Sequence, residues 1–358
     1  MPSKPGIMVL DFGGPQNPAE LVPFLTLLLE DVLPFPDWLN RLAAPRIAQS
    51  RRALVEANYE QIGWSPLVPT HHTQVQALRA ELDLDIPIAS AMLFTPPFAE
   101  QALRDLLDQG VDHIVALPMF PHYSFATTQA AFSFMFAAMD RLGIAEMPVH
   151  WIGAYYDHPL YLEALANTIR QGVEATPGTG TTHLLFSPHG LPLSFVRRAD
   201  PYPDQIRETA RQVIRTLDWK GPWSMGWQSR VGPVKWLSPS TPDVMRRLAS
   251  EGVERITLVP VAFVSEHIET LHEIDIEYAE EAHGMGIPHF GRAPVLGLDP
   301  SFIRCLATLT HDALAHFERY SCVRCLHPRP DSHRRQPSCA NCRFKFPAFL
   351  RRGVQALQ

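Results

Sequence analysis

Gly252-Val253-Glu254-Arg255-Ile256-Thr257-Leu258-Val259-Pro260 repeats the pattern of Gly110-Val111-Asp112-His113-Ile114-Val115-Ala116-Leu117-Pro118 earlier in the chain. Each is Gly-Val, a polar pair, a mostly apolar run and a closing proline. Each then runs into a polar segment, Phe120-Pro121-His122-Tyr123-Ser124 in one case and Phe263-Val264-Ser265-Glu266-His267 in the other. Working outward, apolar runs at Ile7–Asp11, Ile88–Phe94, Val149–Ala154 and Thr182–Phe186 alternate with segments of helical period. Such alternation is the βαβ signature of parallel sheets. Asp157 and Pro159 predict a helix cap and first turn, and Asp299-Pro300 opens a helix carrying Phe302, Leu306, Leu309, Ala313 and Phe317. The turns after the first strands also correspond loosely, Phe12-Gly13-Gly14-Pro15 against Pro188-His189-Gly190-Leu191-Pro192. The fold expected is α/β, with two similar Rossmann-like domains, each a parallel sheet flanked by helices, facing across a cleft. Ligands of such sheets bind outside the carboxyl ends of the strands, where all four of these segments lie.

Composition bounds the function. The 358 residues, 46% hydrophobic and 19% charged, suit two domains with ample core. A net charge of −6 offers no electrostatic footprint for nucleic acid. No apolar run approaches the ~20 residues needed to cross a bilayer. The start, Met1-Pro2-Ser3-Lys4-Pro5-Gly6, leads straight into a strand without a signal peptide's apolar region, so the chain is read as cytosolic.

After the second echoing strand comes an unusual row. Phe263–Tyr278 holds His267 and His272 together with Glu266, Glu269, Glu273, Asp275 and Glu277. Glu269, Glu273 and Glu277 recur at i, i+4 and i+8, so an α-helix would stack them on one face at steps of about 6 Å. Stacked like charges destabilise a helix. A solvated face would be laced with cations, yet no Lys or Arg occurs between Arg255 and Arg292. Imidazole with carboxylate suits divalent iron or zinc and the handling of protons. His189 projects from a tight Gly/Pro turn at another strand end. Gly13-Gly14 lacks the further glycine of a dinucleotide fingerprint, and no Gly-Lys-Ser/Thr loop occurs. Arg230, in Gln228-Ser229-Arg230-Val231-Gly232-Pro233, suits a substrate carboxylate or a structural ion pair equally.

These segments together resemble ferrochelatase, which inserts ferrous iron into a porphyrin. The resemblance rests on Phe12-Gly13-Gly14-Pro15, Ser187-Pro188-His189-Gly190-Leu191-Pro192, Ala199-Asp200-Pro201-Tyr202-Pro203, Trp227-Gln228-Ser229-Arg230-Val231-Gly232-Pro233 and Phe263–Tyr278, in family order. It runs from about residue 5 to 318. It implies a chelatase-type fold with residues 1–155 as the first domain, completed by a C-terminal helix at about 299–319, and 156–298 as the second. His189 matches the family's active-site histidine, and Glu269 the glutamate facing it across the porphyrin. Glu273 and Glu277 match the acidic row leading away from the site, and His267 is taken with them as a relay for protons or metal. Phe12 and Tyr123 match pocket-lining positions and Phe24–Leu29 falls where the family has an apolar lip, Leu27, Leu28 and Leu29 suiting ordinary helix core equally; Arg230 is taken as a candidate substrate contact. Fe²⁺ is then a substrate held by His189 and Glu269, and protoporphyrin IX becomes protohaem with release of two protons. Coproporphyrin III as substrate and a non-catalytic tetrapyrrole or metal carrier are the alternatives. Burial is expected to keep His189 neutral and ready to accept a proton. The chain departs from the family pattern at Trp64, where a second glycine is usual, at Phe12, at Glu266 in place of aspartate and at His272 in place of tyrosine.

Residues 320–346 form a cysteine-rich tail. Cys322-x-x-Cys325 and Cys339-x-x-Cys342 are two knuckles that read as a metal site in a cytosolic chain. Their paired spacing favours a zinc ribbon or rubredoxin-like iron, whereas the resemblance favours a [2Fe-2S] cluster. The fifth cysteine, Cys305, reads as a small apolar helix residue. Arg343-Phe344-Lys345-Phe346-Pro347 suits a ribbon's solvated edge or a peripheral membrane contact. A monomer or a homodimer is expected.

Overall fold

The computed structural model describes residues 3–317 apart from Pro34, Val231 and Pro233. The four tail cysteines and the Arg343–Pro347 stretch lie outside the described residues. Eight strands occur in the described chain: β1 Pro5–Asp11, β2 Ile88–Met92, β3 His113–Pro118, β4 Val149–Trp151, β5 His183–Phe186, β6 Trp223–Met225, β7 Arg255–Val259 and β8 His289–Arg292. The helices are α1 Pro18–Val32, α2 Asp37–Gln61, α3 Leu67–Leu82, α4 Ala99–Asp108, α5 Thr128–Arg141, α6 Pro159–Ala175, α7 Leu193–Val196, α8 Tyr202–Thr216, α9 Thr241–Ser250, a π-helix Glu269–Tyr278, α10 Ala279–Gly284 and α11 Pro300–Ala315.

The strands build two four-stranded sheets, ordered β2-β1-β3-β4 and β6-β5-β7-β8, with every pairing parallel. The same order in both halves is the structural form of the sequence echo. The two matched runs become β3 and β7, each an interior strand at the equivalent place in its sheet. Period-2 alternation divides the core into layers. On β1, Ile7 and Val9 face a central cluster with Leu78 of α3, Leu165 of α6, Ile206 of α8 and Phe302 of α11, while Met8 and Leu10 face an outer cluster with α4 and α5. Leu184 and Phe186 of β5 join the same central cluster, and Leu185 faces the outer one of the second sheet. One helical layer therefore lies between the sheets and ties them together. Each such fully buried side chain contributes about 1.5–3 kcal/mol of transfer free energy.

Local boundaries differ from the expected ones for simple reasons. The run Ile256–Ala262 stops being a strand at Val259, because Pro260 has no N–H and Val261 N–H turns back to Val259 O at 2.9 Å. That turn sends the following segment across the carboxyl end of the second sheet. Helix α6 is capped by His158 rather than Asp157, its Nδ1 accepting Leu160 N–H at 3.3 Å. Asp299 caps α11 as the spacing predicts, accepting from Ser301 and Phe302. Gly13 has φ of +84° and packs against the Thr95 hydroxyl where a side chain would stand. The Gly13-Gly14 pair thus serves close packing of the β1 turn.

Candidate active site

His189 follows β5 in a turn locked to its neighbour by Gly190 N–H to Gln228 O at 2.9 Å and Gln228 N–H to Pro188 O at 3.0 Å. A Cβ on Gly190 would lie 2.8 Å from Gln228 O, so only glycine lets the two segments pair this closely. The imidazole Nδ1 lies 2.6 Å from Gly190 O, and since a carbonyl only accepts, Nδ1 carries a proton there. Nε2 consequently points to Glu269, with Nε2 to Oε1 at 3.4 Å. The other carboxylate oxygen, Oε2, lies 2.5 Å from His267 Nδ1. One carboxylate is held between two imidazoles, and both His189 and Glu269 stay partly open to the cleft, 35% and 25% exposed.

The electrostatics follow from that arrangement. Burial opposes the charged form of His189, but the hydrogen bond and attraction to Glu269 override it, and the pKa rises to about 8. The expectation of a neutral His189 is therefore corrected for the substrate-free site: proximity to a carboxylate outweighs burial. Burial likewise works against charge on His267, and Glu269, aided by Asp11, raises its pKa while His189 works the other way. Burial alone would raise Glu269. The two histidines reverse this and hold it well below the usual carboxylate range.

The acidic row is a π-helix, whose i→i+5 bonds bring residues five apart over one another. The α-helical stack of Glu269, Glu273 and Glu277 is corrected accordingly. The pairs formed are Glu273 with Tyr278, whose hydroxyl donates to Oε1 at 2.6 Å, and Glu277 with His272, Oε1 to Nδ1 at 3.5 Å. Glu273 also accepts from Ser229 N–H at 2.8 Å and from its hydroxyl at 2.5 Å. Ser229 aims both donors by adopting φ of 62°, a left-handed conformation that costs a non-glycine residue about 1–2 kcal/mol. Glu277 is half exposed, so the acids run from the cleft toward solvent. For Glu277 burial raises the pKa, the His272 imidazole lowers it, Glu273 adds to the rise, and the balance is upward.

The cation missing from the row comes from β8. Arg292 makes two bonds to Asp275, at 2.7 and 2.8 Å, and one to Glu266 at 3.1 Å, tying the loop before the π-helix to the helix itself. Glu266 in turn accepts from Thr270 at 2.5 Å, and Thr270 accepts from His267 N–H at 2.9 Å.

From the first sheet, Phe12 stands at the end of β1 with its ring 5.9 Å from His267 and 4.8 Å from Phe94. Tyr123 is buried, its hydroxyl donating to Gln129 and its N–H to Gln205 at 2.7 Å, so it backs the wall rather than opening onto the cleft. Phe24 is buried and 6.5 Å from Phe12, while Leu27 and Leu28 are partly buried against the outer core of the first sheet. Arg230 is loosely held, 3.9 Å from Asp243 and 3.4 Å from Leu237 O. With Leu193, Lys235, Trp236 and Ser238 it borders an open depression of about 510 Å³. Trp236, whose ring lies 6.4 Å from His189, carried no signal in the sequence. Ser229 and Arg292 were equally invisible in their roles, because each works through a contact distant in the chain. Among the described residues, no three His, Cys, Asp or Glu side chains converge as a metal cage, and no helix is long and apolar enough to cross a membrane.

A family model described as ferrochelatase matches residues 4–314. The chain belongs to the ferrochelatase family. The ferrochelatase of Geotalea uraniireducens is 40% identical over 319 residues, covering 88% of this chain and 99% of that relative. The ferrochelatase of Synechococcus sp. strain RCC307 is 38% identical over 327 residues, covering 87% and 83%. Among solved structures, the sirohydrochlorin chelatase SirB from Bacillus subtilis subspecies spizizenii in complex with cobalt superposes with a TM-score of 0.55. It is 10% identical, covering 89% of this chain and 99% of that one, and the likeness speaks for the fold. The chain is thus a lyase-class metal chelatase of haem biosynthesis, with Fe²⁺ and a porphyrin as its substrates.

Proposed function

We propose that this ferrochelatase acts on protoporphyrin IX, giving protohaem and two protons, with His189 and Glu269 as its catalytic pair. The observation that carries the assignment is the 3.4 Å contact between groups delivered by two separate strand ends. A flat macrocycle touching atoms on both faces at about 3.5–4 Å needs roughly 7 Å between them. Porphyrin binding therefore has to part the pair. Parting removes the carboxylate that raises the His189 pKa, and burial then favours the neutral imidazole: the Nε2 proton passes to solvent as the pair opens, and the freed Nε2 accepts one pyrrole proton. Glu269, freed on one side but still beside His267, offers an anionic ligand to Fe²⁺. The second pyrrole proton leaves on the Glu269 side, by Glu273, hydrogen-bonded to Ser229 and Tyr278, and by Glu277 with His272 at the surface.

Arg230 and Lys235 border the depression beside His189, and two cations suit the two propionates of protoporphyrin IX. Phe12 supplies an apolar wall beside His267. Comparing turnover on protoporphyrin IX and coproporphyrin III tests the substrate. Anaerobic Fe²⁺ insertion followed by absorbance tests the pair: unchanged turnover in both His189→Ala and Glu269→Gln would remove the mechanism.

For the tail, four thiolates at Cys322, Cys325, Cys339 and Cys342 suit a [2Fe-2S] cluster or tetrahedral Zn²⁺. Metal content with a visible spectrum separates the two, because zinc is colourless. Light scattering distinguishes monomer from homodimer.

A further inference from the structure

Helix α3 belongs to the layer behind the first sheet, yet one side chain on it is spent on the second half of the site. Gln74 is 1% exposed. Its amide donates to Gly297 O at 2.9 Å and Val264 O at 3.2 Å, and its carbonyl accepts from the Ser265 hydroxyl at 3.1 Å. Gly297 N–H closes the group by donating to Val264 O at 2.9 Å. Three chain segments thus meet on one amide: α3, the turn after β7, and the loop before α11. Ser265 is two residues before His267 and four before Glu269, and Val264 and Ser265 are both buried. No apolar side chain can replace the amide without stranding the Gly297 carbonyl and the Ser265 hydroxyl in the interior, at about 1–3 kcal/mol for each group left unmet, while Val264 O keeps its bond from Gly297 N–H.

We propose that Gln74 is a positioning residue for metal insertion, a clamp that sets where the Val264–Ser265 turn presents His267 and Glu269 to the cleft. The assignment rests on the reading of Glu269 as the metal-handling carboxylate. Gln74 touches no reacting atom and acts only through the turn. A misplacement of about 1 Å at a reacting group can cost about a hundredfold in rate. The porphyrin-lining side chains Phe12 and Trp236 are not held by this clamp, so metal handling and porphyrin binding respond differently to its loss.

The test uses the full-length enzyme with Zn²⁺ as the metal probe, comparing wild type, Gln74→Met, Ser265→Ala, the double variant and Glu269→Gln. Gln74→Met is expected to lower kcat roughly ten- to a hundredfold and to raise the KM for Zn²⁺ several-fold, with the porphyrin KM within about twofold. Ser265→Ala, which removes one bond and leaves the backbone clamp, is expected to move the same parameters less. The pair should be non-additive, because both changes act on one contact group. If Gln74→Met folds poorly, Ser265→Ala still reads the effect. An unchanged KM for Zn²⁺ in Ser265→Ala and Gln74→Met, or a kcat loss matching only the fraction of folded protein, would overturn the clamp. If Glu269→Gln also leaves kcat and the Zn²⁺ KM unmoved, the reading of the site itself is wrong and the clamp falls with it. If Glu269→Gln is crippled while the clamp variants are not, only the clamp is wrong.

Discussion

His122 and His267 occupy comparable places, each in the segment that leaves an interior strand, β3 in one sheet and β7 in the other. Both are buried. His122 donates from Nε2 to the Thr209 hydroxyl at 2.9 Å, since Thr209 itself donates to Tyr156 O at 2.8 Å. Its rings of contact are Tyr156, Tyr161 and Tyr202, and burial pushes its pKa down to about 3. His267 has Glu269 at 2.5 Å, and its pKa moves up. Two sheets of identical strand order therefore end in different chemistry. The first contributes aromatic walls, the Asp11 carboxylate and a histidine that burial holds toward its neutral form, and the second contributes the cluster of two imidazoles about Glu269. A carboxylate partner, and not burial, decides which histidine holds charge.

The largest expected effect tests that division directly. Glu269→Gln and His189→Ala should each lower kcat for Fe²⁺ insertion by about 10²–10⁴-fold, the usual contribution of a positioned acid or base. His122→Asn in the first half should keep turnover within about tenfold of wild type. Equal losses at His122 and His189 would break the comparison.

A second expectation concerns pH. The His189 pKa of about 8 in the free site lies above its ordinary 6.5, so stability from its pairing with Glu269 is complete below about pH 6.5 and fades as pH rises through about 8. Porphyrin has to part the pair, so fluorescence titration should show tighter porphyrin binding above pH 8 than at pH 6.5. Glu269→Gln should flatten that dependence. A flat wild-type profile would mean that the pair stays closed on binding.

A smaller effect is expected at the relay. Tyr278→Phe and Ser229→Ala each remove a hydrogen bond to a charged carboxylate, worth about 1.5–3 kcal/mol. Each should slow turnover several-fold with unchanged porphyrin KM, and thermal melting should report the stability loss.

The smallest lies in the first half, at Trp64. It stands at φ of 73°, which explains why glycine suits the position, and it stacks on Tyr59 with ring centroids 5.8 Å apart. Left-handed strain of about 1–2 kcal/mol opposes a stacking gain of about 0.5–1.5 kcal/mol. Trp64→Gly should therefore change stability by less than about 1.5 kcal/mol in urea unfolding and leave kcat unaltered.

Much of this was legible in the chain. The echo of Gly110–Pro118 in Gly252–Pro260 foretold two matching parallel sheets, because apolar runs of that length must be buried on both faces. His189 and Glu269 stood out through their motifs, and the structure brings them into contact. The π-helix was not legible. Carboxylates at i, i+4 and i+8 fit an α-helix equally well in sequence. The i→i+5 winding is accompanied by bonds from Ser229 and Arg292, which arrive from elsewhere in the chain. The Tyr123 hydroxyl, expected at the pocket, is taken up by Gln129 for the same kind of reason.

The sequence by itself determined six of the eight strands, β6 and β8 apart, and which ionisable residues follow their carboxyl ends. Those depend on local periodicity, prolines and caps. Only the tertiary structure decided the state of those residues. That Glu269 sits between two imidazoles, that His189 is raised to about 8 while His122 falls to about 3, and that Gln74 of one half holds the turn of the other are matters of a few ångströms between distant segments. Charge and hydrogen-bond energies change steeply over such distances, and no spacing along a chain encodes them.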